Sequence, residues 1–403
     1  VTCGWLPSHF NALRAESPDS RFCVLCYDHR HVDIEIDSVR YISFGEKRVN
    51  AYKREVPIAV EKSVSNHIRS FDPDVIHIHG TEYFFSRFSD SVYDNKPVLV
   101  SLQGIISAYQ VFLPGGLAYK EIQPFEWNLR RVLLGSSLRN DQQYWRTVRS
   151  EQERKTFMKH RFFAGRTGWD MDWVRYYNPN AEFFWLNETL RPAFYHKKRS
   201  RSTVRPFSIY CSAASSYPLK GAHWLLRAVA QLKKIYPSIS LRIAAALPRL
   251  SAQKSLVDHL KDDGYAAYLR HLIKKLGVSD NVVLLPSLRA EEVAEELATA
   301  HLFCLPSLCE NSPNSLGEAM LVGTPAIATY VGGVPSMLKH MEEGLLCPSA
   351  DEAALAAAIV TLFENDDLAE TLASNAREVA LQRHDGKRNA KETLNVYHKI
   401  MKR

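Results

Sequence analysis

From residue 207 onward the sequence alternates short apolar runs with longer amphipathic segments, and this alternation leaves few folds open. The runs at 207–211, 241–246, 282–285, 302–305 and 326–329 contain neither glycine nor proline and read as buried strands. The segments at 221–235, 265–276, 290–299 and 314–321 place apolar residues at helical spacing. Strand, helix, strand in regular succession predicts a parallel sheet with helices on both faces. The first half repeats the pattern more loosely. Strands are expected at 21–27, 74–78, 97–102, 161–164 and 182–186, with a helix at 53–71. Residues 117–161 are rich in Arg, Gln, Trp and Tyr and read as helices. The tail from 351 reads as three helices, 353–363, 367–382 and 386–402.

A chain of 403 residues is too long for one hydrophobic core, so two domains are expected. The polar, basic run from His196 to Thr203, closed by Pro206, reads as the linker. The expected organisation is an N-terminal domain over 1–195, a linker over 196–206, a C-terminal domain over 207–382 and a final helix over 383–403 that packs on the N-terminal domain. Thr2-Cys3-Gly4-Trp5 resembles the loop after a first strand, so that strand itself is expected to be missing. No uncharged apolar stretch reaches the roughly 18 residues a membrane span needs. The first residues lack a basic segment followed by an apolar one, so no signal peptide is expected. Seven scattered cysteines include one CxxC, Cys23 to Cys26, inside an apolar run. They are expected to be buried thiols in a reducing cytoplasm.

The most informative stretch runs from Leu305 to Met320. A buried strand ends at Pro306, Ser312 is a suitable N-cap and Pro313 a suitable first helical residue. The amides of Asn314 and Ser315, with Leu316 beside them, then lie in a first turn that has no partners inside the helix. Free amides at the positive end of a helix form an anion site, and a diphosphate fits one. Glu318 shares the helix face of Asn314 and Ser315 and is placed to accept ribose hydroxyls. Glu310 precedes the helix at the carboxyl mouth of the strand, where open α/β sheets bind ligands, and is placed to hold sugar hydroxyls.

Glu310 and Glu318 form an E-x7-E pattern, followed by Glu318-Ala319-Met320, Gly323-Thr324-Pro325-Ala326-Ile327-Ala328-Thr329 and Gly332-Gly333-Val334-Pro335. These thirty or so residues resemble retaining glycosyltransferase family four, which has the GT-B fold. The resemblance implies two Rossmann-like doubly wound domains facing a central cleft. Lys220-Gly221 resembles the family's "KG" that contacts the donor diphosphate, and Asp74-Val75-Ile76-His77-Ile78-His79-Gly80 resembles its "DVVHVHG" strand. By that resemblance His77 and His79 are strand-end residues rather than a metal pair. Gly4, Gln103 and Arg166 are the candidates facing the sugar or acceptor from the N-terminal domain, with Arg166 and Asp170 alternatively a structural ion pair.

Three positions depart from the family pattern. Ser215 stands where a second cation usually lies, Gln103 replaces the His of "THG", and Ser336 replaces the Glu of "GG.PE". The resemblance implies a hexosyltransferase-type enzyme. It would move a sugar from a nucleotide-diphosphate sugar, most commonly UDP-linked, with retention at the anomeric carbon, no metal and no cofactor. Lys220 and Glu310 are the catalytic candidates; Asn314, Ser315, Leu316 and Glu318 are the donor-binding candidates. The implied acceptor is a glycan or a lipid-linked glycan in bacterial surface-polysaccharide synthesis. The net charge of +7 suits phosphate-bearing substrates or an anionic membrane surface as well as a solvated face. The insert's Arg130, Arg131, Arg146, Arg149, Lys155 and Lys159, interleaved with Trp127, Trp145 and Phe157, form a candidate contact with the inner face of the membrane. No nucleic-acid module is present. The rival readings are a catalytically impaired transferase-like interaction protein, an epimerase or phosphorylase on the same fold, and a solute-binding protein.

Overall fold

The computed structural model describes residues 4–28, 30–44, 56–126, 137–214, 217–245 and 264–403. Ser215, Trp127, Arg130, Arg131 and the Thr2-Cys3 part of the first loop lie outside them.

The chain forms two compact units. The first comprises 1–107, 145–189 and 385–403; the second comprises 108–144 and 190–384. These units do not follow a single cut near residue 195. Residues 108–144, read as part of the N-terminal domain, group with the second unit. The tether is specific: the Gly115 carbonyl accepts hydrogen bonds from His223 Nε2 at 3.0 Å and Trp224 Nε1 at 2.9 Å.

In the first unit, β1 (Phe22–Tyr27), β2 (Asp33–Ile36) and β3 (Val39–Phe44) form a sheet in the order β1-β3-β2. β1 runs parallel to β3, and β2 and β3 form an antiparallel hairpin. The hairpin turns on Asp37 and Ser38, both left-handed with φ of 49° and 61°. Two such central residues match the right-handed twist of the flanking strands. β1 lies at the edge of this sheet, so its side chains are only half covered. Cys26 is exposed and Cys23 half-buried, contrary to the expectation of buried thiols there.

A second, parallel sheet follows: β4 (Ile76–His79), β5 (Val98–Ser101), β6 (Phe162–Gly165) and β7 (Glu182–Trp185), in that order. Leu99, Phe162, Ala164, Phe184 and Leu186 build its core. The helix Gly386–Met401 covers that core with Val396 and Ile400 and packs against the helix Leu6–Glu16.

The second unit holds a six-stranded parallel sheet. Its strands are β8 (Ser208–Ala214), β9 (Ser240–Ala245), β10 (Val282–Leu285), β11 (Leu302–Leu305), β12 (Ala326–Thr329) and β13 (Leu345–Cys347). Their order is β10-β9-β8-β11-β12-β13. The chain therefore builds outward from β8 to β10, then returns to β11 on the other side of β8. The carboxyl ends of β8 and β11 flank this reversal, the point at which doubly wound sheets bind their ligands. Part of the linker's charge is structural: Arg199 is buried and pairs with Glu370.

Candidate active site

Two loops leave the sheet reversal of the second unit. The first follows β8 and ends in the short turn Pro218–Lys220, with Gly221 left-handed at φ 73°. A Cβ on Gly221 would lie 1.9 Å from the Pro306 carbonyl oxygen, so only glycine lets this loop close on the second. That second loop follows β11. Its Leu308 amide donates to the Leu219 carbonyl at 2.8 Å, which sets the two loops in register.

This packing brings Lys220 and Glu310 together. Lys220 Nζ lies 2.6 Å from Glu310 Oε1, which also accepts from Ser307 Oγ at 2.7 Å. Glu310 is buried and Lys220 about one-third exposed, so the cation is the more accessible of the two. The backbone of Glu310 is fixed from behind by the Gly332-Gly333 loop, where Gly333 N donates to the Glu310 carbonyl at 3.0 Å.

The helix Asn314–Val322 begins beside Glu310. Pro313, not Ser312, is its N-cap. Ser312 Oγ contacts Met337 Sδ at 3.4 Å and caps nothing. The missing cap leaves the first turn barer than expected: the amides of Asn314 and Ser315 have no partner among the described residues, while that of Leu316 donates to the Pro313 carbonyl. Glu318 is buried on the same helix, and Arg191 Nη2 donates to its Oε1 at 2.7 Å. Burial raises the Glu318 carboxyl pKa, and the Arg191 charge and hydrogen bond pull it back. Around the start of this helix, then, lie a cation beside one buried carboxylate, bare amides in the first turn, and a second buried carboxylate one turn on. Such a set can bind a phosphate chain and the hydroxyls attached to it.

The first unit has a small pocket of its own, lined by residues that include Trp5, His9, His79, Gln103, Arg166 and Glu188. Gly4 sits in the exposed turn just before Trp5. Among the described residues the Arg166 side chain forms its ion pair with Glu188 and not with Asp170. Its guanidinium also donates to the carbonyls of Leu102 and Gln103 at 3.1 and 3.2 Å. The Asp170 carboxylate instead accepts from the backbone amides of Arg166 at 2.8 Å and Thr167 at 3.0 Å, closing the capping box whose N-cap is Thr167 at the start of the helix Gly168–Tyr177. His77 shares hydrogen bonds with Tyr397 Oη at 2.7 Å and Ser101 Oγ at 2.6 Å. Burial pushes its pKa well below the usual histidine value, and that of His79 down to about 3, so both rings are neutral at pH 7.

Residues 195–379 match the model of the family Glycosyl transferases group 1. Among curated relatives, D-inositol 3-phosphate glycosyltransferase of Pseudarthrobacter chlorophenolicus is 31 % identical over 216 residues, covering 53 % of this chain and 48 % of that protein. The chain thus spans about half the length of such relatives. Among solved structures, sucrose-phosphate synthase of Thermosynechococcus elongatus superposes with a TM-score of 0.71 at 16 % identity, covering 98 % of this chain and 92 % of that one. HepE of Anabaena, solved with UDP-glucose, superposes with a TM-score of 0.62 at 17 % identity, covering 93 % and 99 %. At these identities the structures establish the fold, which is the two-domain α/β GT-B architecture.

All of Lys220, Glu310, Asn314, Ser315 and Glu318 fall within the group 1 glycosyl transferase match. Arg191 lies four residues before it and went unread in the sequence, as did Glu188 and the buried Glu153. Glu153 accepts from Ile106 N, Ser107 N and Thr81 Oγ1 at 2.7 to 2.9 Å. Each is a carboxylate or cation whose partner is remote in sequence. The only local hint at Arg191 was the following Pro192, a helix-start signal.

Proposed function

We propose that the chain transfers a sugar, with retention at the anomeric carbon, from a UDP-sugar to a glycan or lipid-linked acceptor. The observation that carries this reading is the bare first turn at Asn314 and Ser315, flanked by Lys220 and Glu310 and backed by Glu318 on the same helix. In this reading Lys220 and the two amides hold the leaving diphosphate, Glu310 orients the sugar and Glu318 accepts the ribose hydroxyls. HepE, which shares the fold, was solved with UDP-glucose, which supports UDP as the base carrier. The diphosphate leaves on the face from which the acceptor hydroxyl attacks. The protein's part is then positioning and stabilisation of the leaving charge. The cation and amides carry that charge, so the reaction proceeds without metal.

Surface-polysaccharide synthesis, on the cytoplasmic side of a membrane, is the proposed setting. Among the described residues no helix is long and apolar enough to cross a membrane. Of the insert's candidate membrane residues Phe157 is fully buried and Lys159 pairs with Asp90, so that set does not form a membrane face; in the second unit Val111, Phe112, Tyr119 and Tyr144 are exposed, as are Lys120 and Arg139, residue types suited to an anionic bilayer surface. Binding to vesicles containing phosphatidylglycerol, and not to phosphatidylcholine alone, is the expected result.

The test of the donor site is a thermal-shift panel with UDP, GDP and ADP on the wild type and on Glu318→Ala. A nucleotide at about 100 times its dissociation constant adds roughly 2.7 kcal/mol to stability. UDP is expected to raise the melting temperature of the wild type and not of the variant. No shift with any nucleotide on folded protein sinks the proposal. Turnover insensitive to EDTA and a product with the donor's anomeric configuration test the metal-free and retaining parts.

A further inference from the structure

Glu318 is a buried carboxylate, and burying such a charge is costly unless a cation offsets it. The cation is Arg191, and the surrounding structure fixes it in place. Pro192 holds the Arg191 backbone extended, at φ −70° and ψ 143°, and starts the helix Pro192–His196. The guanidinium lies 5.0 Å from the ring centre of Phe194, itself fully buried. The preceding Leu190 amide donates to Tyr195 Oη at 3.0 Å, and that hydroxyl donates to the His384 carbonyl at 2.6 Å. Gly317 permits the approach: a Cβ there would lie 2.7 Å from His384 Nε2 and 3.1 Å from Leu190 Cδ1. Arg191 meets only Oε1 of the carboxylate, through Nη2, and leaves Oε2 to other donors.

We infer that Arg191 is a positioning residue of the donor site, holding Glu318 as an anionic acceptor with one oxygen tied and the other open to the ribose hydroxyls of the nucleotide. The inference rests on the reading of Glu318 as the ribose-binding carboxylate. Other charged or titratable groups around this helix do not substitute for Arg191. Tyr210 on β8 feels the Glu318 charge but is itself neutral, burial holding its phenol well above the ordinary value. His384 sits against Gly317, and Arg377 near Gly323 at the far end of the helix. Glu296, on the neighbouring helix Ala290–Thr299, is tied to Arg205 and Arg242.

The experiment uses the full chain with Arg191→Ala, Arg191→Lys and Arg191→Ala/Glu318→Gln. UDP binding is followed by calorimetry from pH 5.5 to 8.5, and melting temperature over the same range without ligand. Wild type and Arg191→Lys are expected to bind UDP with a shallower pH dependence than Arg191→Ala, because the cation offsets part of the rise that burial imposes on Glu318. In Arg191→Ala the unpaired Glu318 takes up a proton as pH falls, so affinity drops by up to about tenfold per pH unit below its raised pKa. Without ligand, a carboxyl whose folded pKa exceeds its unfolded value costs stability as pH rises. Arg191→Ala should therefore melt increasingly below the double variant towards pH 8.5 and alongside it near pH 5.5. Flat behaviour of Arg191→Ala in both measurements overturns the inference. A pH-dependent melting difference in a protein that binds no UDP overturns the donor-site reading, and the ribose half of the inference with it.

Discussion

Lys220 has two competing partners. Without ligand it is bound to Glu310, and in the proposed reaction it must also face a diphosphate. Glu310→Gln removes the competing charge while keeping an acceptor for Ser307. The variant is expected to bind UDP at least as tightly as wild type and to lose most of its transfer rate, which calorimetry and a turnover assay would separate. Equal loss of both would place Glu310 on the nucleotide rather than the sugar. A second residue makes a pH prediction in the first unit. Burial raises Glu82 to about pKa 7, the nearby Glu153 adds to the shift, and its Oε2 is buried without a partner. A carboxyl raised above its unfolded value weakens the fold as pH climbs from about 4.5 through 7. Glu82→Gln is therefore expected to raise the melting temperature at pH 8 and to change it little at pH 5; the reverse order would contradict the assigned burial. At this scale the sequence marked the groups that cluster within one strand–loop–helix segment. It could not mark Arg191 or Glu188, because an ion pair between distant segments leaves no periodicity to read.

Among the elements, five of the six strands of the second unit's sheet were legible because each apolar run is short and cleanly bounded, whereas the three-residue edge strand β13 is too short to show a pattern. The β2–β3 hairpin was not, since Asp33 to Ile36 is exposed and mixes charge with isoleucine. Its Asp37-Ser38 turn lacks the glycine that usually announces one. Replacing Asp37-Ser38 by Asn-Gly suits the same left-handed geometry better and should stabilise the first unit by about 0.5 to 1 kcal/mol, readable in a denaturant titration. Gly221→Ala tests the opposite case. Left-handed strain adds to a clash with the Pro306 carbonyl, and a loss of about 3 kcal/mol or more is expected, with loss of UDP binding. Near-normal stability would mean that the two loops need not close so tightly.

For the whole molecule, the two α/β units followed from the alternation of strands and helices, but the path of the chain between them did not. Nothing in the composition of 108–144 indicates that its Pro114–Leu117 stretch docks beside Pro218 and Trp224, since a single carbonyl with two donors fixes it. The helix Gly386–Met401 carries a clearer signal in its amphipathic pattern, and its burial can be tested. Ile400→Ala removes a side chain that is 1 % exposed, and a cost of about 2 to 4 kcal/mol is expected. The loss should appear in the melting of the first unit, with nucleotide binding to the second retained. The arrangement also sets a timetable for synthesis. Strands β4 to β7 emerge from the ribosome long before Val396 and Ile400 exist, and the intervening chain builds a different unit. The first unit is therefore started early and finished late, and its half-built sheet is the surface a nascent-chain chaperone would have to guard.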